Sequence, residues 1–304
     1  MDLTAIDPLL LLASLMVAST PILLAALGEL VVERAGVLNL GVEGMMITGA
    51  ACGIIFSTLT GNAWLGFAGA ALGGLLLSFL FAVLTQLLLS NQVATGLALT
   101  LFGLGLSALL GQGFAGTRPP AFPKLDIPLL SNLPVMGQIA FRHDGMVYLG
   151  LGLVAAVWYF LTRTRAGLVL RAVGENHDAA HALGYPVVLI RFGAIMFGGA
   201  CAGLGGAYIS LVRVPQWTEG MTAGAGWIAL AIVVFAGWKP GRLLLGAYLF
   251  GGVTVLQLNL QAAGLAIPVE YLSMSPYVAT IIVLVVLAAG RKPGSLGQTF
   301  HASR

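Results

Sequence analysis

Charged residues are scarce in this chain. Only 8% of its 304 residues are Asp, Glu, Lys or Arg, whereas 59% are hydrophobic and the mean hydropathy is +0.98. A soluble domain carries about 25% charged residues, so the composition excludes an ordinary globular protein. The 14 basic residues are scattered over short segments instead of clustered, which argues against a nucleic-acid partner. The sequence therefore predicts a polytopic protein embedded in the lipid bilayer.

Cysteines and metal-binding patterns are also sparse. Cys52 and Cys201 lie in apolar runs rich in Gly and Ala, which favours small buried side chains over the alternative of a disulfide or redox pair. His177 and His181 have the i, i+4 spacing of two ligands on one helix. Only Asp178 stands near them, however, and this is too small a set for a metal site.

Motifs that bind nucleotide phosphates or form a catalytic centre are missing as well. The chain has three lysines, and none closes a Gly-x-x-x-x-Gly-Lys-Ser/Thr loop, which excludes ATP binding by that route. No Gly-x-Ser-x-Gly nucleophile motif is present. The sequence therefore predicts no catalytic residue, no metal and no cofactor on this chain.

Long apolar runs fill the rest of the sequence. A membrane span needs about 20 such residues, and the runs predict an all-α membrane helix bundle of about nine transmembrane helices, with eight to ten as the range. We treat residues 1–304 as a single transmembrane domain. The predicted helices are 9–28, 37–58, 64–88, 93–111, 145–162, 187–213, 222–238, 243–264 and 276–290. Of these, 37–58 and 222–238 are rich in Gly and are candidates for broken or re-entrant segments.

Two helices of opposite predicted direction share a short pattern. Ala70-Ala-Leu-Gly-Gly-Leu75 in one is similar to Ala247-Tyr-Leu-Phe-Gly-Gly-Val253 in the other. Inverted repeats are common in transporters, although Gly- and Ala-rich helices also resemble each other by chance. The sequence leaves both explanations of this pattern open.

Basic residues in short loops predict the orientation. With nine spans, the basic residues of 163–171, 239–242 and 291–304 all fall on one side, which is typical of the cytoplasmic side. The N-terminus is then outside and the C-terminus inside. Asp2 and Asp7 precede the first apolar run, which is the wrong flank for a cleavable signal peptide.

Two loops stand out by length. The external loop 112–144 is rich in proline and predicts a cap or a docking surface, with a structureless connector as the alternative. The cytoplasmic loop 163–186 predicts a short helix that starts at Glu175-Asn176, after a break at Gly174, and stops at Gly184. Such a helix is too short to anchor itself in lipid. It fits a groove on another protein, or alternatively rests on lipid headgroups.

Glu33–Met46 is the most polar stretch inside the apolar sequence. It holds two carboxylates, an Arg and an Asn, and such groups cost several kcal/mol in hydrocarbon unless they are paired or hydrated, so they usually mark a transport path. Its three glycines permit a broken helix or close helix approach.

Four motifs in this order carry a family resemblance. They are Glu33–Met46, the loop 163–186, Thr218-Glu-Gly-Met-Thr-Ala-Gly-Ala-Gly-Trp-Ile-Ala-Leu230 and Tyr277-Val-Ala-Thr-Ile-Ile-Val-Leu284. From about residue 20 to 297 the chain resembles permease subunits of ATP-binding cassette (ABC) importers. Among these importers it resembles the branch of permeases for nucleosides and simple sugars, which is related to ribose and branched-chain amino acid permeases. One departure is His177, where the family often has Pro.

The resemblance implies a permease fold and a set of partners. An ABC ATPase subunit, which holds ATP and Mg²⁺, docks on the loop 163–186. An external solute-binding protein delivers cargo, and a second homologous permease completes the pore. A heterodimer is favoured over a homodimer, because the length matches the shorter of two paired permeases. The setting is the bacterial cytoplasmic membrane. The residues predicted to couple to the ATPase are Gly174, Glu175, Asn176, Ala179, Ala180, Leu183 and Gly184.

A path for a nucleoside or sugar needs hydrogen-bond partners and aromatic surface. The residues predicted to line it are Asn39, Glu43, Asn91, Gln92, Thr95, Trp217, Glu219 and Trp227. Each has a structural alternative. Asn91 and Gln92 also suit a helix cap, Trp217 suits an interfacial aromatic belt, and Glu43 suits an interhelical hydrogen bond.

Outside the predicted path, Trp238 is favoured as a second belt residue. Glu33 and Arg34 are expected to pair at the cytoplasmic surface, facing the ATPase, in preference to a pore role. Two rival functions were weighed against the importer. A secondary transporter would use Glu29, Glu33 or Glu43 as a proton site, but it needs no cytoplasmic docking helix. An integral-membrane enzyme would need a convergent set of catalytic groups, which the sequence does not offer.

Overall fold

A computed structural model describes residues 8–126, 141–262, 268–287 and 292–301, and within them the chain forms eleven α-helices and two short strands. The helices are α1 (Pro8–Arg34), α2 (Val42–Thr60), α3 (Ala63–Ala82), α4 (Gln92–Gly111), α5 (Gly145–Arg163), α6 (Arg165–Glu175), α7 (His177–Ala182), α8 (Val187–Tyr208), α9 (Ala225–Phe235), α10 (Pro240–Ala262) and α11 (Val269–Leu287). Wider π-helical turns prolong α3 through Val83–Leu87 and α8 through Ile209–Arg213, and a 3-10 turn (Gln112–Phe114) follows α4.

The predicted membrane helix bundle is confirmed. Seven of the described helices, α1 to α5, α8 and α10, are long and apolar enough to cross a membrane. Each of the nine predicted segments overlaps an observed helix, although residues 263–264 of the eighth and 288–290 of the ninth lie outside the described residues. The count of nine is approximate, because α9 has 11 residues and rises only about 16 Å, half of a bilayer core.

Two segments descend into the bundle without helical structure. Residues 35–41 follow α1, and the side chain of Thr100, two turns into α4, donates a hydrogen bond of 3.0 Å to the Leu40 carbonyl. The second segment, 214–224, runs from the end of α8 to the first turn of α9. The first includes residues 37–41 of the predicted segment 37–58, and the second includes only residues 222–224 of the predicted segment 222–238. They leave α2 and α9 starting inside the bundle.

Small residues bring the backbones of α2, α3 and α8 into contact. A Cβ at Gly206 of α8 would overlap the Met46 carbonyl of α2, and a Cβ at Gly203 would overlap the Ala70 carbonyl of α3. A Cβ at Gly44 would lie 2.6 Å from the Leu99 carbonyl of α4. Four helices therefore pack backbone against backbone, which is the arrangement that small residues permit in membranes.

The loops gather at two ends of the bundle. At one, which we call the basic end, residues 34–41, 163–191, 236–242 and 292–301 lie together, held by hydrogen bonds from Arg34 and Arg191. Of the basic residues that the structure describes, the larger group lies here: Arg34, Arg163, Arg165, Arg171, Arg191, Lys239, Arg242 and Lys292. The opposite end holds Arg118, Lys124, Arg142 and Arg213. The loops that were predicted to share one side do meet at one end.

The proline-rich loop 112–144 contains short folded elements in its described part. Strands β1 (Lys124–Asp126) and β2 (Arg142–Asp144) pair antiparallel, with Leu125 opposite His143. Phe122 packs edge-on against Trp64 and Phe67 at the start of α3. Residues 127–140 of this loop lie outside the described part of the chain. The role of this loop as a cap stays a prediction.

Candidate coupling and translocation sites

The loop 163–186 contains two helices instead of one. Thr164 ends α5 and caps α6, since its hydroxyl accepts a hydrogen bond of 3.0 Å from the Gly167 amide. Asn176 then caps α7, with its side-chain oxygen accepting from the Ala179 amide at 2.9 Å. Gly184 ends this unit at a φ of +87°, a conformation that glycine adopts without strain. The caps follow from the chemistry of Thr, Asn and Gly.

The prediction that Gly174 interrupts the helical structure before the short helix is wrong. Gly174 lies inside α6 and is buried, and a Cβ there would overlap the carbonyl of Arg34. Glu175 ends α6, so the carboxylate in the first turn of the short helix is that of Asp178 instead. Glycine is needed here for close approach to α1, a tertiary requirement that local sequence does not reveal.

The short helix α7 has one buried and one exposed face. Ala180 is buried, and its neighbours in a small cluster are Val173, Val187 and Phe300. Leu183, immediately after α7, is 77% exposed, and Ala179 is exposed as well. A large apolar side chain held in the open at a fixed position is suited to a pocket on another protein.

Arg191, which sequence reasoning missed, joins three separate parts of the chain at the basic end. Its side chain is fully buried. It donates to the carbonyls of Ala35, at 3.2 Å, and Gln298, at 2.9 Å, and approaches Nδ1 of His177 at 3.2 Å. The one signal for it was a single cation in the apolar run of α8, and nothing in the sequence indicated its partners.

His177 accepts one of these bonds. An arginine only donates, so Nδ1 of His177 is the acceptor and the imidazole is neutral in this arrangement. Burial lowers the pKa of His177, the cation of Arg191 lowers it further, and Asp178 opposes both effects. The neutral ring packs edge-on against Phe300. His177 therefore works as a packed hydrogen-bond acceptor between α7 and α8.

Asn39 and Gln92 both hold the non-helical segment 35–41. Asn39 donates to Glu29 of α1 at 3.4 Å, and its own side-chain oxygen accepts from the Gly41 amide at 3.0 Å. The side-chain oxygen of Gln92 accepts from the Leu38 amide at 2.8 Å. Both side chains are buried, and the side-chain oxygen of each accepts from a backbone amide of this segment.

Glu43 holds the start of the half-helix α9. One carboxylate oxygen accepts from the Thr222 hydroxyl at 2.6 Å and the Gly224 amide at 2.9 Å, and the other accepts from the Gly226 amide at 2.6 Å. These amides belong to the unsatisfied donors at a helix N-terminus, where the helix dipole favours a negative group. The interhelical hydrogen bond, one of the two roles predicted for Glu43, is therefore present, and its role in the transport path stays a prediction.

Glu33 and Arg34 do not pair with each other at the surface. Glu33 is fully buried and accepts a hydrogen bond from the indole of Trp238, while Arg34 donates to the Trp238 carbonyl at 2.9 Å. The expectation of an exposed ion pair is therefore wrong. Trp238 is likewise buried and is not an interfacial belt residue. Together the two α1 residues fix the turn between α9 and α10.

The remaining predicted path residues are dispersed. Asn91 caps α4 by accepting from the Ala94 amide at 3.0 Å, and Thr95 shares a hydrogen bond of 2.8 Å with Ser90. Trp217 is buried and packs closely on Gly111 at the opposite end, so the belt interpretation is wrong for it also. Glu219 is exposed nearby.

Trp227 lines an open cavity of about 500 Å³. The cavity lies between α9 and α11, and the indole of Trp227 is 46% exposed. Its other lining residues are Ala223, Gly224, Ile228, Ala231, Tyr277, Thr280 and Ile281. Two aromatic side chains and a threonine hydroxyl thus stand beside the helix start that Glu43 holds. Among the described residues, no group of three or more His, Cys, Asp or Glu side chains could hold a metal.

The predicted residues therefore form two groups and not one pocket. The coupling residues lie on α6 and α7, whereas Glu43 and Trp227 lie on either side of the α9 N-terminus, deeper in the bundle. Asn39 and Gln92 lie between the two groups. This arrangement combines a short helix that has an exposed apolar face with an interior half-helix, and it is suited to moving a small polar solute through a membrane.

Comparison with known proteins agrees with this class. Residues 11–288 match the family described as the permease component of the branched-chain amino acid transport system, and the chain belongs to that family. It is therefore a multi-pass membrane permease, a transport component, as the sequence motifs predict.

Three relatives are similar over most of their length. The chain is 47% identical over 254 residues to the putative glucose ABC transporter permease protein TsgC13 of Haloferax volcanii, covering 82% of this chain and 77% of that protein. It is 35% identical to the nucleoside ABC transporter permease protein NupC of Lactococcus lactis, covering 90% and 91%. It is 33% identical to the guanosine ABC transporter permease protein NupQ of Bacillus subtilis, covering 93% of each. The identification of the chain as an ABC permease is confirmed.

Proposed function

We propose that this permease carries nucleosides or simple sugars into the cell and is driven by a separate ATPase subunit that docks on α7. The observation that carries the proposal is the exposed face of α7, where Leu183 is 77% exposed while the other face is fixed by Ala180 and His177. A carrier driven by an ion gradient has no need of such a face. ATP and Mg²⁺ belong to the partner, and this chain binds no cofactor.

The basic end is the cytoplasmic end under this proposal. It holds most of the described basic residues and also α7, so the positive-inside tendency and the docking face agree. The N-terminus is then external. The folded part of loop 112–144, at the opposite end, is where a solute-binding protein would deliver cargo.

The cargo class rests on the named relatives and on the cavity beside α9. Trp227 and Tyr277 offer aromatic surface, which suits the flat base of a nucleoside or the apolar face of a sugar. The Thr280 hydroxyl donates to the Pro276 carbonyl and can still accept a hydrogen bond from cargo, so affinity stays shallow and cargo can leave. A second, homologous permease completes the pore, and a heterodimer is preferred for a chain of this length.

Uptake measurements test the function directly. Cells with and without the chain are given labelled guanosine or glucose, before and after ATP depletion. We expect uptake of one cargo class to require both the chain and ATP. Uptake that requires the chain, survives ATP depletion and is abolished by a protonophore would instead identify a secondary transporter.

A matched pair of variants tests the docking face. Leu183→Glu places a charge on an exposed side chain and should abolish co-purification of the ATPase without unfolding the permease. Leu125→Glu is the control, since Leu125 is 43% exposed at the opposite end. If the ATPase stays bound to the Leu183 variant, α7 is not the docking element.

A second pair tests the cargo cavity. Trp227→Ala should weaken uptake at low cargo concentration, because the indole contributes stacking surface. Trp158→Ala is its control, with a similar exposure of 48% on α5, away from that cavity. Equal uptake by the two variants would remove the cavity from the path.

A further inference from the structure

The C-terminal segment (Lys292–His301) lies between α7 and the interior of the bundle. It touches α6 where the Ser295 amide donates to the Gly174 carbonyl at 2.9 Å. It touches α7 where the Ser295 hydroxyl accepts from the His177 amide at 3.1 Å. One short segment therefore satisfies backbone groups at the junction of both coupling-loop helices.

Phe300 forms the surface on which α7 rests. Its ring meets the rings of His177 and His181 edge-on, with centroids 5.4 and 5.1 Å away. Phe300 is buried together with Ala180 and Val187. The inner face of α7 is thus packed on the C-terminal segment as well as on α8.

The same segment also holds the non-helical residues 35–41. The Gly297 amide donates to the Gly36 carbonyl at 3.2 Å. The Gln298 carbonyl accepts from Arg191 at 2.9 Å and from the Gln92 side chain at 3.4 Å. Within the described residues, no hydrogen bond joins α7 directly to 35–41, so the C-terminal segment and Arg191 supply the connection.

Residues 35–41 lead in turn to the start of α9. Asn39 is bonded to Glu29 of α1, and Glu43 follows within one turn of α2. Glu43 holds the Gly224 and Gly226 amides. A continuous set of contacts therefore runs from the docking face to the cavity beside Trp227.

We infer that the C-terminal segment is a transmission element, with Phe300 as its main positioning residue. When the ATPase moves α7, the segment carries that displacement to 35–41 and so to the α9 N-terminus. The inference rests on the proposed function, since it takes α7 as the ATPase contact. Loss of the segment should therefore uncouple ATP hydrolysis from transport without removing the ATPase.

The test uses the full complex of this chain with its partner permease and ATPase, reconstituted in vesicles. Phe300→Ala opens the surface beneath α7. We expect cargo moved per ATP hydrolysed to fall about tenfold, the size of effect seen when a coupling contact is removed, with the amount of bound ATPase unchanged. Phe300→Leu should restore most of the coupling. Tyr159→Ala is the matched control, because it also removes an aromatic ring, from a side chain that is 59% exposed on α5, outside the C-terminal segment.

A second variant covers the case in which Phe300→Ala does not fold. Gly294→Ala would place a Cβ against the Glu175 carbonyl and displace the segment from α6 without emptying the core. The same uncoupling is expected. The inference is overturned if transport per ATP is unchanged, or if both variants lose the ATPase as Leu183→Glu does. A wild-type chain that binds no ATPase would overturn the proposed function, and the transmission element with it.

Discussion

Glu43 and Gly226 join two helix starts through one hydrogen bond of 2.6 Å. The Glu43 carboxylate belongs to the first turn of α2, and the Gly226 amide belongs to the first turn of α9. The carboxylate oxygen of one helix and the amide of the other would otherwise each lack a partner inside the bundle, and this hydrogen bond satisfies both. A Cβ at Gly226 would lie 2.6 Å from the Glu43 backbone, so glycine is what allows this approach.

Replacement Glu43→Gln tests that junction. An amide keeps one acceptor oxygen but turns an NH₂ group toward a donor, and we expect the free energy of unfolding to fall by about 1–3 kcal/mol. Uptake should fall, whereas ATPase binding should persist. Thermal unfolding in detergent and uptake measure the two effects. Glu270→Gln, at an exposed carboxylate, is the control. Normal uptake by the Glu43 variant would reduce Glu43 to a dispensable contact.

The Glu33–Trp238 contact is suited to a double-mutant cycle. Trp238→Phe removes the indole donor and leaves a buried carboxyl, whose second oxygen already has no partner among the described residues. We expect this variant to lose about 1–3 kcal/mol of stability. Adding Glu33→Leu should recover part of the loss, because the stranded polar group is removed. Additive effects in the unfolding midpoints would show that the two side chains do not interact.

Gly174 and Gly152 provide a matched pair of glycines. Gly174→Ala would overlap the Arg34 carbonyl and push α6 away from α1, so we expect loss of transport and a lower thermal midpoint. Gly152→Ala enters open space on α5 and should be tolerated. Equal behaviour of the two variants in uptake would mean that α6 does not need its close approach to α1.

The neutral state of His177 predicts a dependence on pH. Its pKa lies below the usual 6.5, so the unfolded coupling loop binds the proton more readily than the folded one. The contribution of His177 to stability is thus complete above pH 6.5 and is lost as the pH falls from 6.5 toward its lowered folded pKa. The charged groups that face His177 are Arg191 and Asp178, and its uncharged neighbours are Phe300 and Ser295.

Hydrogen exchange of residues 174–184 at pH 7.5 and 5.5 measures this effect. We expect lower protection at pH 5.5 in the wild-type chain, once the slower intrinsic exchange at that pH is divided out, and a smaller change in protection in His177→Gln. A His301→Gln variant, altered at an exposed histidine, serves as the control and should keep the wild-type response. An unchanged pH response in His177→Gln would place the titrating group elsewhere.

Features governed by local chemistry could be predicted from the sequence. Apolar runs located the helices, and Asn176 with Gly184 marked the ends of α7. Glycine content marked 37–58 and 222–238 as unusual, and each of these begins with a few non-helical residues. Polar residues in the path were recognised as unusual, but their partners were not. Glu43 is satisfied by residues that lie 179 to 183 positions away, a distance over which the sequence pattern carries no information.

The features missed are those built from backbone carbonyls. Arg191 donates to backbone carbonyls that lie 156 and 107 positions away in the sequence. Every residue has such a carbonyl, so the residue types gave no indication of these partners. The C-terminal segment was predicted only as a basic tail for the same reason, since Ser295 and Gly297 act largely through their main chain. Trp217 and Trp238 were assigned to a membrane interface because belts are common, and burial overrode that tendency.

The glycine contacts among α2, α3, α4 and α8 limit where the protein can deform. Backbones that touch at Gly203 and Gly206 cannot slide without opening voids, because no flexible side chain lies between them to take up the shift. We expect these four helices to form a stationary frame during a transport cycle. Displacement would then fall on the parts around the frame, α9 with residues 35–41.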